Sequence, residues 1–195
     1  FTRAETVDAF RFMAQAKHTG KIAVVQPHRQ TVQADAIRPD ATYLVTGGLR
    51  GLGLLVADWL VAQGARHLVL VGRRRPDVAA QELIARLEAD GVQVYTAQVD
   101  VTQAAQMQAL FTTIETTMPP LRGVIHSAGV LADGVLQQQD WARFAHVLGP
   151  KVSGAWQLHT LTQHLPLDFF VLFSSLASLT GAAGQGAHAA ANTFL

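Results

Sequence analysis

Tyr43-Leu44-Val45-Thr46-Gly47-Gly48-Leu49-Arg50-Gly51-Leu52-Gly53 is a short apolar run that enters a glycine-dense turn, and an amphipathic segment over residues 54–63 leaves it. Strand, glycine turn and helix in that order make a phosphate-binding device. The glycines let the backbone turn tightly and approach a pyrophosphate, whose charge meets the positive end of the helix dipole. A strand-to-helix turn without any ligand can have the same composition, so the neighbouring segments have to decide.

Outward from the turn, apolar runs alternate with helical patterns. The spacing predicts strands over 42–46, 66–71, 92–98, 121–126 and 167–173. Helices are predicted over 52–63, 77–89, 102–117 and 138–164, the last broken at Gly149-Pro150. Strands separated by helices imply a parallel sheet covered on both faces. Right-handed crossovers then give an α/β, doubly wound, Rossmann-type layer. The apolar stripe Leu52, Val56, Trp59 and Leu60 is expected to be ordinary core packing. Upstream, residues 6–17 read as a helix with Val7, Phe10, Met13 and Ala14 on one face. Residues 21–25 read as a strand, and the polar, proline-bounded stretch 27–40 as a linker.

Composition narrows the function classes. Of 195 residues, 49% are hydrophobic and 15% charged, enough apolar matter for a well-buried core. A net charge of +1 gives no general attraction to nucleic acid or membrane surfaces. The absence of cysteine excludes disulfide and thiolate chemistry and suits a reducing cytoplasm. No apolar run approaches the roughly 20 residues of a membrane span, and the N-terminus is not a signal peptide. The chain starts at Phe1 without a Met and stops at Leu195 within a helical pattern, so it is read as an excerpt of a longer polypeptide.

An NAD-binding unit of this kind places an acid roughly 20 residues beyond the turn, to hold the ribose 2′-hydroxyl. Here the second strand, 67–71, ends in Gly72-Arg73-Arg74-Arg75 with no acid. Guanidinium groups favour a 2′-phosphate, so Arg73, with Arg50 in the turn, points to NADP(H) over NAD(H). Arg74 and Arg75 are expected in a solvated loop. Val99-Asp100-Val101 offers a carboxylate either to an adenine amino group or as a helix N-cap before Thr102. His126-Ser127-Ala128-Gly129 closes the fourth strand with small residues that leave room for a cofactor against the backbone. His126, His146, His159 and His164 lack metal-ligand spacing, so no metal is expected. Ser174 and Ser175 lie outside a Gly-x-Ser-x-Gly elbow, which argues against a serine hydrolase.

Several ordered motifs carry a resemblance over 41–195. They are Thr46-Gly47-Gly48-Leu49-Arg50-Gly51-Leu52-Gly53, Gly123-Val124-Ile125-His126-Ser127-Ala128-Gly129-Val130 and Gly149-Pro150-Lys151-Val152-Ser153-Gly154. Phe173-Ser174-Ser175-Leu176-Ala177-Ser178 and Gly184-Gln185-Gly186-Ala187-His188-Ala189-Ala190-Ala191-Asn192 complete the set. Together they resemble the ketoreductase domain of a modular type I polyketide synthase, in the short-chain dehydrogenase/reductase superfamily. Residues 7–21 resemble the C-terminal end of an enoylreductase domain. The resemblance therefore divides the chain into an enoylreductase-like tail (1–26), a linker (27–40) and a ketoreductase domain truncated at its C-terminus (41–195).

The resemblance implies NADPH-dependent reduction of a β-ketoacyl thioester carried by an acyl carrier protein, beside other synthase domains in one cytoplasmic polypeptide. Thr46 to Gly53 of the turn, with Arg73, Asp100, Val101, His126, Ser127, Ala128 and Gly129, are the implied cofactor contacts. The family's catalytic set is Lys, Ser, Tyr and Asn. It carries over to Lys151, Ser175 and Asn192, while His188 stands at the tyrosine position. Imidazole has a reference pKa of roughly 6.5 and can donate a proton near neutrality. Its ring is roughly 2 Å shorter than a phenol, and misplacement of roughly 1 Å can cost a hundredfold. His188 is thus either a substitute acid or the mark of a domain that binds NADPH in a structural role. A free-standing reductase of small ketones is a third reading, which the enoylreductase-like tail opposes. Leu131-Ala132-Asp133 resembles the Leu-Asp-Asp motif of reductases giving the B-type hydroxyl; Asp133 equally suits a cap on the turn at Gly134.

Overall fold

The computed structural model describes residues 1–16, 18, 19, 22–24 and 37–195. The chain forms two compact units, Phe1–Asp35 and Ala36–Leu195.

In the first unit a 3-10 turn, Arg3–Glu5, runs into helix α1, Thr6–Ala14. The Glu5 carboxylate accepts from the Thr2 amide at 2.8 Å and fixes the entry to the helix. The helix stops short of the expected residue 17 because Ala16 leaves helical space with φ +50°. Ala9 is its buried residue, whereas Val7, Phe10 and Met13 of the expected apolar face are exposed. Residues 22–24 form no strand, and Lys21 and Val25 of that expected element lie outside the described residues. So does most of the expected linker: only 37–40 of it are described, as a turn leading into the sheet.

The second unit holds five strands: β1 (Thr42–Thr46), β2 (His67–Gly72), β3 (Gln93–Gln98), β4 (Leu121–His126) and β5 (Phe169–Leu172). All neighbours are parallel, in the order β3-β2-β1-β4-β5. The crossovers contain α2 (Gly51–Ala62), α3 (Val78–Ala89) and α4 (Ala104–Thr117), then α5 (Trp141–Gly149) and α6 (Ala155–Thr162). Two further helices follow β5: α7 (Ala177–Thr180) and α8 (Gly186–Thr193). This is the doubly wound layer that the alternation of runs implies. Residues alternate between faces along each strand. Tyr43, Val45, Leu68 and Leu70 pack under α2 and α3 with Ala57, Leu60 and Leu87. Leu44, Val69, Val71 and Val124 pack under α4 and α6 with Met107, Phe111 and Leu158.

Two expectations need correction. Leu60 and Val56 pack in the core as expected, but Leu52 and Trp59 do not: they are 60% and 53% exposed, and Gly53 and Ala57 face the sheet instead. Asp58 is the single charged residue of α2, so apolar spacing cannot single out one face of it. The long helix also does not break at Gly149-Pro150. Pro150 lacks an N–H and its ring crowds the preceding turn, so the backbone widens into a π-helical turn, Pro150–Gly154, that links α5 to α6.

One glycine sets the middle of the sheet. Gly123 on β4 pairs with Tyr43 on β1 and with Phe169 on β5. The two rings stack across it with centroids 5.6 Å apart, and a Cβ at 123 would lie 2.3 Å from the Phe169 ring. Among the described residues no helix is long and apolar enough to cross a membrane.

Candidate active site

The chain leaves β1 toward β2 on one side and β4 toward β5 on the other, so the two central strands part at their C-terminal ends. Open α/β sheets place their ligands in that crevice. A cavity of about 390 Å³ opens there, walled by the glycine turn, the ends of β2 and β3, the segment after β4, the π-helical turn and α8.

The turn is built for close approach. Gly47 has φ +71°, and a Cβ on Gly53 would lie 2.3 Å from the Gly47 carbonyl oxygen. The Gly48 amide donates to Val71 O at 3.1 Å and ties the turn to β2. Arg50 sits at the N-cap of α2 in extended conformation with no side-chain cap, leaving first-turn amides without a side-chain acceptor. Gly47, Leu49, Arg50, Gly51, Leu52 and Gly53 all line the cavity, as does Arg73. Arg74 and Arg75 are exposed in the loop after β2, as expected, and Arg74 also lines the cavity beside Arg73.

Asp100, Val101, Ser127, Ala128 and Gly129 are also in the wall. Asp100 does not cap α4, whose N-cap is Gln103. Its Oδ1 instead accepts from the amide and hydroxyl of Thr102, at 2.9 and 2.8 Å. Thr46, Gly48 and His126 lie behind the wall and do not line it. Thr46 and His126 are fully buried and bonded to each other, Oγ1 to Nδ1, at 2.6 Å. Asp133 stands outside the cavity and accepts from Gln185 Nε2 at 3.0 Å, which ties its loop to the start of α8; it does not cap the turn at Gly134.

Lys151, His188 and Asn192 converge on the same cavity. Lys151 is 6% exposed, its Nζ donates to Phe173 O at 2.5 Å, and burial holds its pKa below the usual lysine value. Asn192 Nδ2 donates to His188 O at 2.8 Å and stands 3.3 Å from both ring nitrogens of His188. Asn192 is 2% exposed, and its buried Oδ1 has no hydrogen-bond partner. Ser174, not Ser175, is the serine in the wall, and its hydroxyl donates to Asn192 O at 2.8 Å. Ser175 Oγ accepts from Ala177 N at 3.2 Å. No cluster of three or more His, Cys, Asp or Glu that would hold a metal occurs among the described residues.

A tight turn that admits backbone only, amides without side-chain caps and guanidinium groups at the rim suit an anionic dinucleotide. Comparison with known proteins supplies the family. The family model of the KR domain matches residues 41–195. The chain belongs to the ketoreductase domain family of polyketide synthases. This ketoreductase domain is 40% identical over 202 residues to a phenolphthiocerol/phthiocerol polyketide synthase of Mycobacterium tuberculosis, covering 100% of the chain and 9% of that protein. It is 42% identical over 206 residues to a mycocerosic acid synthase-like polyketide synthase of the same organism, covering 98% and 9%. The chain therefore spans about a tenth of the length of these multidomain relatives. Among solved structures, A-type ketoreductases from a modular polyketide synthase match with a TM-score of 0.75 at 41% identity, over 81% of this chain and 33% of theirs. A ketoreductase domain from the bacillaene assembly line matches with a TM-score of 0.77 at 35% identity, over 80% and 38%. The ketoreductase family is one of nicotinamide-dependent oxidoreductases, which agrees with the cradle.

Proposed function

We propose that this domain uses NADPH to reduce a β-ketoacyl thioester, carried by an acyl carrier protein in a cytoplasmic synthase, to the β-hydroxyacyl thioester. The supporting observation is convergence: Lys151, His188 and Asn192 share one cavity with the glycine turn and the arginines. The amides of the first turn of α2 suit the pyrophosphate, and Arg50 and Arg73 suit the 2′-phosphate. NADPH, when bound, supplies the hydride.

The chain's own residues manage the ketone oxygen. Ser175 is next in sequence to Ser174 of the wall but does not itself line the cavity. Its Oγ uses a lone pair toward Ala177 N, so its O–H proton is free, and the reading requires that hydroxyl to turn toward the ketone oxygen. His188 donates the proton that completes the alcohol, and does so as the imidazolium, because a neutral ring would be left as an imidazolate. Asn192 Nδ2, 3.3 Å from both ring nitrogens, lies against the imidazole. Lys151 adds positive charge where negative charge develops on the substrate oxygen.

The imidazole at a position where the family carries tyrosine favours one rival reading, a domain that binds NADPH without reducing anything. The two separate by NADPH oxidation with a small β-ketoacyl thioester on the full-length protein, wild type against His188→Tyr and His188→Phe. Turnover by the wild type, lost by roughly a hundredfold or more in His188→Phe, supports the acid role. A silent wild type rescued by His188→Tyr sinks it.

A further inference from the structure

His126 is a buried titratable side chain that the proposed reaction does not use. It ends β4 with no exposed surface and makes contacts in two directions. Its Nε2 lies 2.9 Å from the carbonyl oxygen of Pro150, the first residue of the π-helical turn. A carbonyl has no proton to give, so Nε2 carries it. Burial and the nearby Lys151 ammonium keep the ring neutral, with the pKa lowered to about 4, so Nδ1 is the acceptor for the Thr46 hydroxyl. The tautomer is thereby fixed.

The backbone of the same residue reaches the other side of the site. His126 O accepts from the Phe173 amide at 3.0 Å, and Phe173 O in turn accepts from Lys151 Nζ at 2.5 Å. Lys151 follows Pro150 directly in sequence. The contacts close a ring: His126 imidazole, Pro150, Lys151, Phe173, and back to the His126 backbone. Gly154 completes the fit, since a Cβ there would lie 3.5 Å from the imidazole Cε1 and 2.7 Å from Val101 Cγ2. The π-helical turn thus lies directly against the histidine.

We infer that His126 is a positioning residue for Lys151: its ring anchors the turn from which the lysine projects, and its backbone anchors the carbonyl that receives the ammonium. The inference rests on the reading of Lys151 as part of the reductive site. It replaces the expectation that His126 contacts cofactor.

Amide side chains separate the two ring contacts. In His126→Gln the terminal amide nitrogen reaches the place of Nε2 and can still donate to Pro150 O. In His126→Asn the amide reaches only the place of Nδ1, on the Thr46 side. His126→Phe fills the space with neither bond. On the full-length protein, His126→Gln should keep kcat within about threefold, while His126→Asn and His126→Phe lose roughly tenfold to a hundredfold. KM for the thioester and Kd for NADPH should stay within about threefold in all three. Equal behaviour of the Asn and Gln variants, or a loss confined to Kd, overturns the inference.

Two readouts do not need activity. In the wild type, the ¹⁵N resonances of the His126 imidazole should report a neutral ring protonated at Nε2; a ring protonated at Nδ1 overturns the inference even if every variant unfolds. If the wild type proves inactive, the reductase reading falls but the positioning inference is still decided. The ¹³C resonance of reductively methylated Lys151, assigned by its loss in Lys151→Arg, should then move in His126→Phe and hold in His126→Gln. No movement in His126→Phe overturns it.

Discussion

At the scale of one residue, His126 shows how burial converts a titratable group into a fixed piece of structure. Its pKa falls from 6.5 to about 4 because the fully buried ring cannot take up charge cheaply and the Lys151 ammonium repels a second cation. The consequence for stability has a definite sign. Between about 4 and 6.5 the unfolded chain binds a proton at this residue and the folded chain does not, so stability is full above 6.5 and drains away as pH falls toward 4. The drop is worth about 3 kcal/mol. Urea unfolding at pH 7 and at pH 4.5 should show a larger acid-side loss for the wild type than for His126→Gln, which has nothing to titrate there. Equal losses in the two proteins would remove His126 as a source of acid sensitivity. His188 differs in legibility from His126. The place of His188 could be read from the motif around it, because Gly184 to Asn192 is a local pattern on one helix. The role of His126 could not, because it depends on contacts with Thr46, 80 residues away, and with Pro150, 24 residues away.

At the scale of elements, the strands were legible because each is a short apolar run between turn signals, and all five lie within two residues of where the spacing puts them. The exposed face of α2 was not legible, since a helix with one charged residue carries no polar stripe to point outward. The π-helical turn was half legible: Gly149-Pro150 marks a disturbance, but only packing decides between a break and a widening. The stacking of Tyr43 and Phe169 over Gly123 belongs to the same class of fact, since it needs the strand order before it can be seen. It also makes a prediction. Gly123→Ala drives a methyl into both rings, with Cβ 2.3 Å from Phe169 and 2.7 Å from Tyr43, and should cost about 1–3 kcal/mol of unfolding free energy. In a Phe169→Ala background the same substitution should cost markedly less, because the space is then free. A double-mutant cycle by chemical denaturation measures the difference, and strict additivity would mean that the rings do not constrain the sheet at this point.

At the scale of the molecule, the cavity exists because β1 and β4 send the chain in opposite directions, which brings segments from 47 to 192 to one edge of the sheet. Motifs far apart in sequence could be assigned to that edge beforehand because each follows a strand. The side chains in the wall could not all be chosen: Ser174 lines it in place of Ser175, and Arg74 joins Arg73. The arginines carry the last prediction, which concerns which cofactor the assembled edge prefers. Arg50 comes from the turn after β1, and Arg73 and Arg74 from the end of β2, so three guanidinium groups from two elements face one rim with no acid on β2 to bind a ribose hydroxyl. Charge-assisted bonds of this kind are worth about 1.5–3 kcal/mol each, and exposure to solvent reduces that. Arg73→Ala should therefore weaken NADPH by roughly threefold to thirtyfold while NADH binding changes little, and Arg50→Ala should act in the same direction. Fluorescence titration of both cofactors at low and high salt checks it, because the arginine-dependent part of NADPH binding should shrink as salt screens the rim. Equal weakening of NADH and NADPH would place these guanidinium groups on the pyrophosphate instead, and the preference for NADPH would then need another source.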